Sequence, residues 1–91
     1  MKIGDVEVGL KVKWRTTNGR IPKTGEVVYK GFGYDSDYKA MRACEKHNGG
    51  IVRRRHFDGY ASKSDYVIVA VPRKQGGFDY YKPYLGTLEA A

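Results

Sequence analysis

From Val6 to Trp14 every second residue is apolar: Val6, Val8, Leu10, Val12 and Trp14 alternate with Glu7, Gly9, Lys11, Lys13 and Arg15. Side chains of a strand point to opposite faces with a period of two, so this pattern predicts a strand with one buried face. Such a strand cannot stand alone, and it obliges the chain to build a sheet and to cover it. A chain of 91 residues has room for one such core, so residues 1–91 are read as a single domain.

The next stretch, 16–25, holds Asn18-Gly19, Pro22 and Gly25 and reads as a long loop. Residues 26–34 alternate again, with Val27 and Tyr29 expected on one face and Val28, Lys30, Phe32 and Tyr34 on the other. Asp35, Ser36 and Asp37 offer N-cap oxygens and first-turn negative charge, while Lys46 and His47 precede Asn48-Gly49-Gly50, a left-handed stop. These signals predict a helix over 36–47. Its inward stripe is Ala40, Met41, Ala43, Cys44 and His47. Residues 51–57 and 66–71 predict two more strands joined as a hairpin, the second apolar on both faces and therefore central.

Arg73 to Gly77 reads as a basic linker that separates a core, 1–77, from an aromatic tail, 78–91, whose residues 80–84 are expected as an edge strand. The expected fold is therefore α+β: a small twisted antiparallel sheet in the order β-β-α-β-β plus a C-terminal edge segment, with one helix on one face. An exposed edge, on the first strand or the tail, would let two chains pair.

Seventeen Lys and Arg against ten Asp and Glu give a net charge of +7, which favours polyanionic partners. The single cysteine, Cys44, excludes an intramolecular disulfide and a multi-cysteine zinc cage, and fits a reducing compartment. The opening Met1-Lys2-Ile3-Gly4-Asp5 lacks an apolar leader, and the longest apolar run, 66–72, is too short to span a bilayer. A soluble, cytoplasmic protein is expected.

Lys30-Gly31-Phe32-Gly33-Tyr34 would present a lysine and two aromatic rings on one face, which suits stacking of bases and contact with the phosphate between them. The string resembles the main aromatic strand of the RNA-recognition-motif family, whose pattern is basic, Gly, aromatic, Gly, aromatic. The following segment is similar to that family's second helix, with Ala40, Ala43 and Asn48-Gly49 in the spacing A-x-x-A-x-x-x-x-N-G. The resemblance covers residues 30–49 and implies binding of single-stranded RNA on a sheet face. The family's next positions, aliphatic and aromatic, are Asp35 and Asp37 here. A second resemblance, over 9–28, is to Tudor/KOW-like small barrels, which open with G-x-x-V-x-W and a G-x-V-x strand, matched by Gly9 to Trp14 and Gly25 to Val28. It implies the alternative fold, a small β-barrel with an inserted helix.

Basic residues are spread more widely than either string. Lys11, Lys13, Arg15, Arg20 and Lys23 occur with no acidic residue between positions 8 and 25. Arg53, Arg54 and Arg55 form a second cluster, in which a strand would put Arg53 and Arg55 on one face and Arg54 on the other. With Lys30, Phe32 and Tyr34, these eight cations make up the expected nucleic-acid-binding set, which favours single strands of RNA or DNA over duplex.

Chemistry beyond binding finds little support. Cys44 and His47 share a helix face, but two ligands do not hold a zinc ion. His56 and Asp58 would share a strand face without a nucleophile beside them. Gly31-x-Gly33 lacks the third glycine of a dinucleotide turn. No cofactor, metal or enzymatic activity is expected. The alternative to nucleic acid is a protein-binding inhibitor or adaptor that docks on an acidic or nucleic-acid-binding surface, a reading to which the eight tyrosines, including Tyr80, Tyr81 and Tyr84, lend contact area.

Overall fold

Residues 66–72 lie between two apolar layers and set the architecture. In the computed structural model, which describes residues 1–15, 22–33, 37–57 and 64–91, they form the central strand of a six-stranded sheet. The strands are β1 (Lys11–Trp14), β2 (Lys23–Gly31), β3 (Arg55–His56), β4 (Tyr66–Pro72), β5 (Phe78–Tyr81) and β6 (Glu89–Ala90), and the helix is α1 (Asp37–Asn48). Their order across the sheet is β3-β5-β4-β2-β1-β6. This is an α+β fold on an open, mixed sheet, so the closed small barrel is not formed.

Each face of β4 is buried against a different cover. Val67 and Val69 pack with Val6, Val12, Trp14, Val27 and Leu88, beneath Met1, Ile3 and Leu85. Tyr66, Ile68 and Ala70 pack with Ala40 and Cys44 of α1 and with Tyr80. The helix therefore covers one face, and the segments flanking the strands at both ends of the chain cover the other. Within α1, Ala40 and Cys44 are buried and Met41, Ala43 and His47 half-buried, as the expected stripe requires, while Tyr38 and Arg42 are exposed. Gly49 takes φ 75°, the left-handed stop expected after the last turn. The proposed capping residues Asp35 and Ser36 lie outside the described residues.

Four expectations are corrected. The first strand is shorter than its alternation suggests, because Gly9 adopts φ 97° and turns the chain, leaving Val8 exposed beside the buried Val6. The register of β2 against β4 shifts between Val27 and Tyr29, which places Val27 opposite Val69 and Tyr29 opposite Ile68. Val28 is thus a bulge, and Val27 and Tyr29 face opposite layers instead of sharing one. The hairpin of residues 51–57 with 66–71 does not form: only Arg55–His56 are strand, and they run parallel to β5, which lies between them and β4. Finally, the supposed linker is a tight turn, with the Arg73 N–H donating to Gly77 O and the Gly76 N–H to Arg73 O, and with Gly76 and Gly77 at positive φ. It delivers residues 78–81 into the sheet interior, not to its edge.

Nor is β1 an edge strand, since β6 pairs with it through Val12↔Ala90 and Lys13↔Glu89. Among the described residues the sheet ends in β3 and β6, each of two residues, which leaves little backbone to template a partner strand. No helix among them is long and apolar enough to cross a membrane.

Candidate nucleic-acid interface

Strand alternation divides the first basic cluster between the two faces. Val12 and Trp14 turn inward, so Lys11 and Lys13 turn out, and Lys13 Nζ lies 3.9 Å from Glu89. Lys23 pairs with Trp14 and shares its side, where its ammonium stands 4.9 Å from the centre of the Tyr81 ring. Arg15 follows β1 and is exposed. Arg20 and Tyr34 lie outside the described residues.

The aromatic string is also reorganised. Lys30 pairs with Val67 and is half-buried, whereas Phe32 lies beyond the last residue of β2 and is 58% exposed. Gly31 lacks a side chain for a packing reason: the Tyr66 ring covers it so closely that a Cβ would sit 2.1 Å from the ring. Next to Phe32, the Gly33 N–H donates to Asp65 Oδ1 at 2.9 Å, which brings a carboxylate to the place where a phosphate was expected.

The three arginines part company in a different way from the strand reading. Residues 51–54 are not strand, and Arg53 and Arg54 line one cleft of about 470 Å³ together with Arg73, Asn48 and Phe78. Arg55 is turned towards the helix, donating to Met41 Sδ at 2.8 Å with its guanidinium 5.5 Å from the Phe57 ring centre. Sequence periodicity paired Arg53 with Arg55. The short length of β3 pairs Arg53 with Arg54 instead.

A second cavity was not anticipated. Trp14, Arg15, His56, Tyr81, Lys82 and Tyr84 line a groove of about 330 Å³ with no carboxylate among its described lining residues. Its floor is a run of rings. Trp14 meets Tyr81 edge-on at 5.8 Å, and His56 stacks on Tyr81 at 4.4 Å and 7°. Tyr84, 84% exposed, stands at the rim. Lys82 rests its ammonium 4.3 Å from the Tyr66 ring centre. His56 Nε2 is 3.7 Å from Asp79 Oδ1 and Arg73 Nε is 3.9 Å from the same oxygen, which makes no hydrogen bond among the described residues. The sequence signal for this groove was the tyrosine-rich tail. What it lacked was the pairing that brings Trp14 and His56 to Tyr81.

Cys44 and His47 are occupied elsewhere. His47 Nδ1 shares a 2.8 Å hydrogen bond with the Tyr80 hydroxyl, and its Nε2 is 3.9 Å from Glu26. Burial pushes the Cys44 thiol up from 9.0 to about 11, against a smaller opposing effect of Arg55, and pushes Tyr80 from 10.0 to about 12 with Cys44 adding to it. Both groups are held neutral in the folded state. Their contribution is whole below pH 9 and is lost as pH rises, through 9 to 11 for Cys44 and through 10 to 12 for Tyr80, because the unfolded chain deprotonates first. The urea midpoint is therefore expected to fall between pH 9 and 11. A Cys44→Ala variant should delay the fall by about one pH unit, and coincident curves would contradict this assignment. A thiol reagent at pH 8 is likewise expected to label Cys44 at the rate of unfolding, far more slowly than it labels free cysteine.

Comparison with known proteins adds no relative: no family model, curated protein or solved structure matches the chain.

Proposed function

We propose that this protein binds single-stranded nucleic acid without catalysis, stacking bases in the aromatic groove and holding phosphates with Arg15, Lys23 and Lys82. One observation carries the reading: a groove floored by Trp14, Tyr81 and His56, rimmed by Tyr84, and lined by cations without a carboxylate among its described residues. The exposed rings of Tyr84 and His56 accept any base face above the packed floor of Trp14 and Tyr81, and cations beside them meet the backbone, which favours strands whose bases are free to splay out. Lys11 and Lys13 lie on the other side of the sheet from Trp14 and contribute long-range attraction, not direct contact.

Fluorescence anisotropy with labelled single-stranded RNA, single-stranded DNA and duplex DNA tests this at about 50 and 200 mM salt. Neutralising three phosphates on a single strand weakens binding roughly 20-fold over that range. A single strand is expected to bind more tightly than duplex with such a slope. No binding at 50 mM salt overturns the reading.

The protein-docking alternative draws on the exposed apolar side chains Val8, Tyr38 and Ile51, which are unneeded for phosphate contact. Recovery of one stoichiometric protein partner after nuclease treatment, with no oligonucleotide binding, would favour it.

A further inference from the structure

The arginine cleft and the aromatic groove lie on opposite faces of β5, Phe78 on the helix side and Tyr81 on the other, and meet round the edge formed by β3. Strands β3 and β5 run parallel, Arg55 opposite Tyr80 and His56 opposite Tyr81. At their beginning, Arg54 and Phe78 belong to the arginine cleft; at their end, His56 and Tyr81 belong to the groove. From residue 78 to residue 81 the rise is roughly 10 Å, and the two side chains point to opposite faces, so a ligand that touches both wraps round β3. The join is closer still, since Arg73 of the cleft and His56 of the groove approach the same Asp79 oxygen, at 3.9 and 3.7 Å. That carboxylate is the acidic group at the join among the described residues, and it is flanked by both.

We propose that a nucleic-acid strand wraps round this edge, its bases stacked in the groove on one face and its backbone gripped by Arg53, Arg54 and Arg73 on the other, a few nucleotides away. The proposal rests on the single-strand reading and gives it a footprint. Guanidiniums fork onto phosphate oxygens, and phosphate contacts carry no sequence information, so a cleft that grips the backbone supplies affinity and register without sequence preference. The Tyr80 N–H donates to Arg54 O at 3.1 Å, which fixes the backbone of the arginine segment against β5 while both side chains stay exposed.

The test is a length series of fluorescein-labelled oligouridylates of two, four, six and ten nucleotides. The proteins are wild type, an Arg53→Ala/Arg54→Ala double variant and Tyr84→Ala. Affinity in the wild type is expected to climb steeply up to the length that spans both clefts. The double variant should bind the dinucleotide as wild type does, lose at least tenfold on the hexamer, and show a salt slope shallower by about one to two. If it binds every length with wild-type affinity and slope while Tyr84→Ala is weakened, the track round the edge is wrong and the groove reading stands. If no length binds the wild type, the reading itself fails and the track with it. Hexamers carrying single neutral methylphosphonates give the same decision on the unaltered protein: loss confined to linkages near the stacked bases overturns the track, and loss at a linkage several nucleotides away supports it.

Discussion

Gly25→Ala is expected to lower stability by about 3 kcal/mol, which for a domain of this size means a fall in melting temperature of roughly 15 °C. Gly25 lies in β2 opposite Val12 of β1, on a backbone that needs no positive φ. Its constraint is space. An added Cβ would come within 2.4 Å of Ala70 O and 2.7 Å of Val69 Cγ1. The first of these is backbone of the central strand and cannot rotate away. Relief requires β2 and β4 to separate, and both faces of that pair are packed. Gly50→Ala is the control, because nothing lies within 4 Å of its added Cβ and its φ is ordinary. There the smaller entropy of the unfolded chain should leave stability unchanged or slightly raised. Circular-dichroism melts of the two variants decide the matter, and a Gly25→Ala midpoint within two or three degrees of wild type would show that the strands are not this close.

Tyr84→Ala combined with His56→Ala is expected to cost the largest share of single-strand binding while leaving the melting temperature nearly unchanged. Tyr84 is 84% exposed, and the His56 side chain is 47% exposed, so neither holds the core together. A base stacked on an aromatic side chain contributes roughly 1–3 kcal/mol, which for one lost platform is about 5-fold to 150-fold in affinity. Phe32→Ala, though it removes a ring that is 58% exposed, should change affinity less than about twofold, because Phe32 lies outside the groove. The three titrations together separate the groove from the aromatic string as the stacking surface. Equal losses in the Phe32 and Tyr84/His56 variants would return the string to the interface.

What could be read from the sequence was local. Helix α1 was legible because its stripe of Ala40 and Cys44, its basic last turn and its glycine stop all lie within a few turns of one another. The central position of β4 was legible because a strand apolar at Tyr66, Val67, Ile68 and Val69 must be covered twice. The bulge at Val28 was not, since a valine in a strand carries no mark of being unpaired, and from that one residue onward every facing in β2 is inverted. The parallel pairing of β3 with β5 was hidden for another reason: the two segments are separated by a third strand, and nothing in Arg55-His56 names its partner. The groove inherits both difficulties. Its cations and rings come from β1, β3 and the residues after β5, so the basic composition indicated a polyanion without indicating where it would sit.

The pairing of β1 with β6 also has a kinetic side. Val12 meets Ala90 and Lys13 meets Glu89, so the outermost ladder joins residues from opposite ends of the chain. Leu88, which closes the layer over Val12, Val27 and Val69, comes from the same late segment. Contacts this remote in sequence are formed only after the loop between them has been closed, which slows folding towards the millisecond-to-second range of sheet-rich domains. Met1 and Ile3 cover part of the valine layer, and Leu88 completes it. The helix side needs only residues up to Tyr80 and can pack first, which leaves the valine layer as the face closed last, by Leu88.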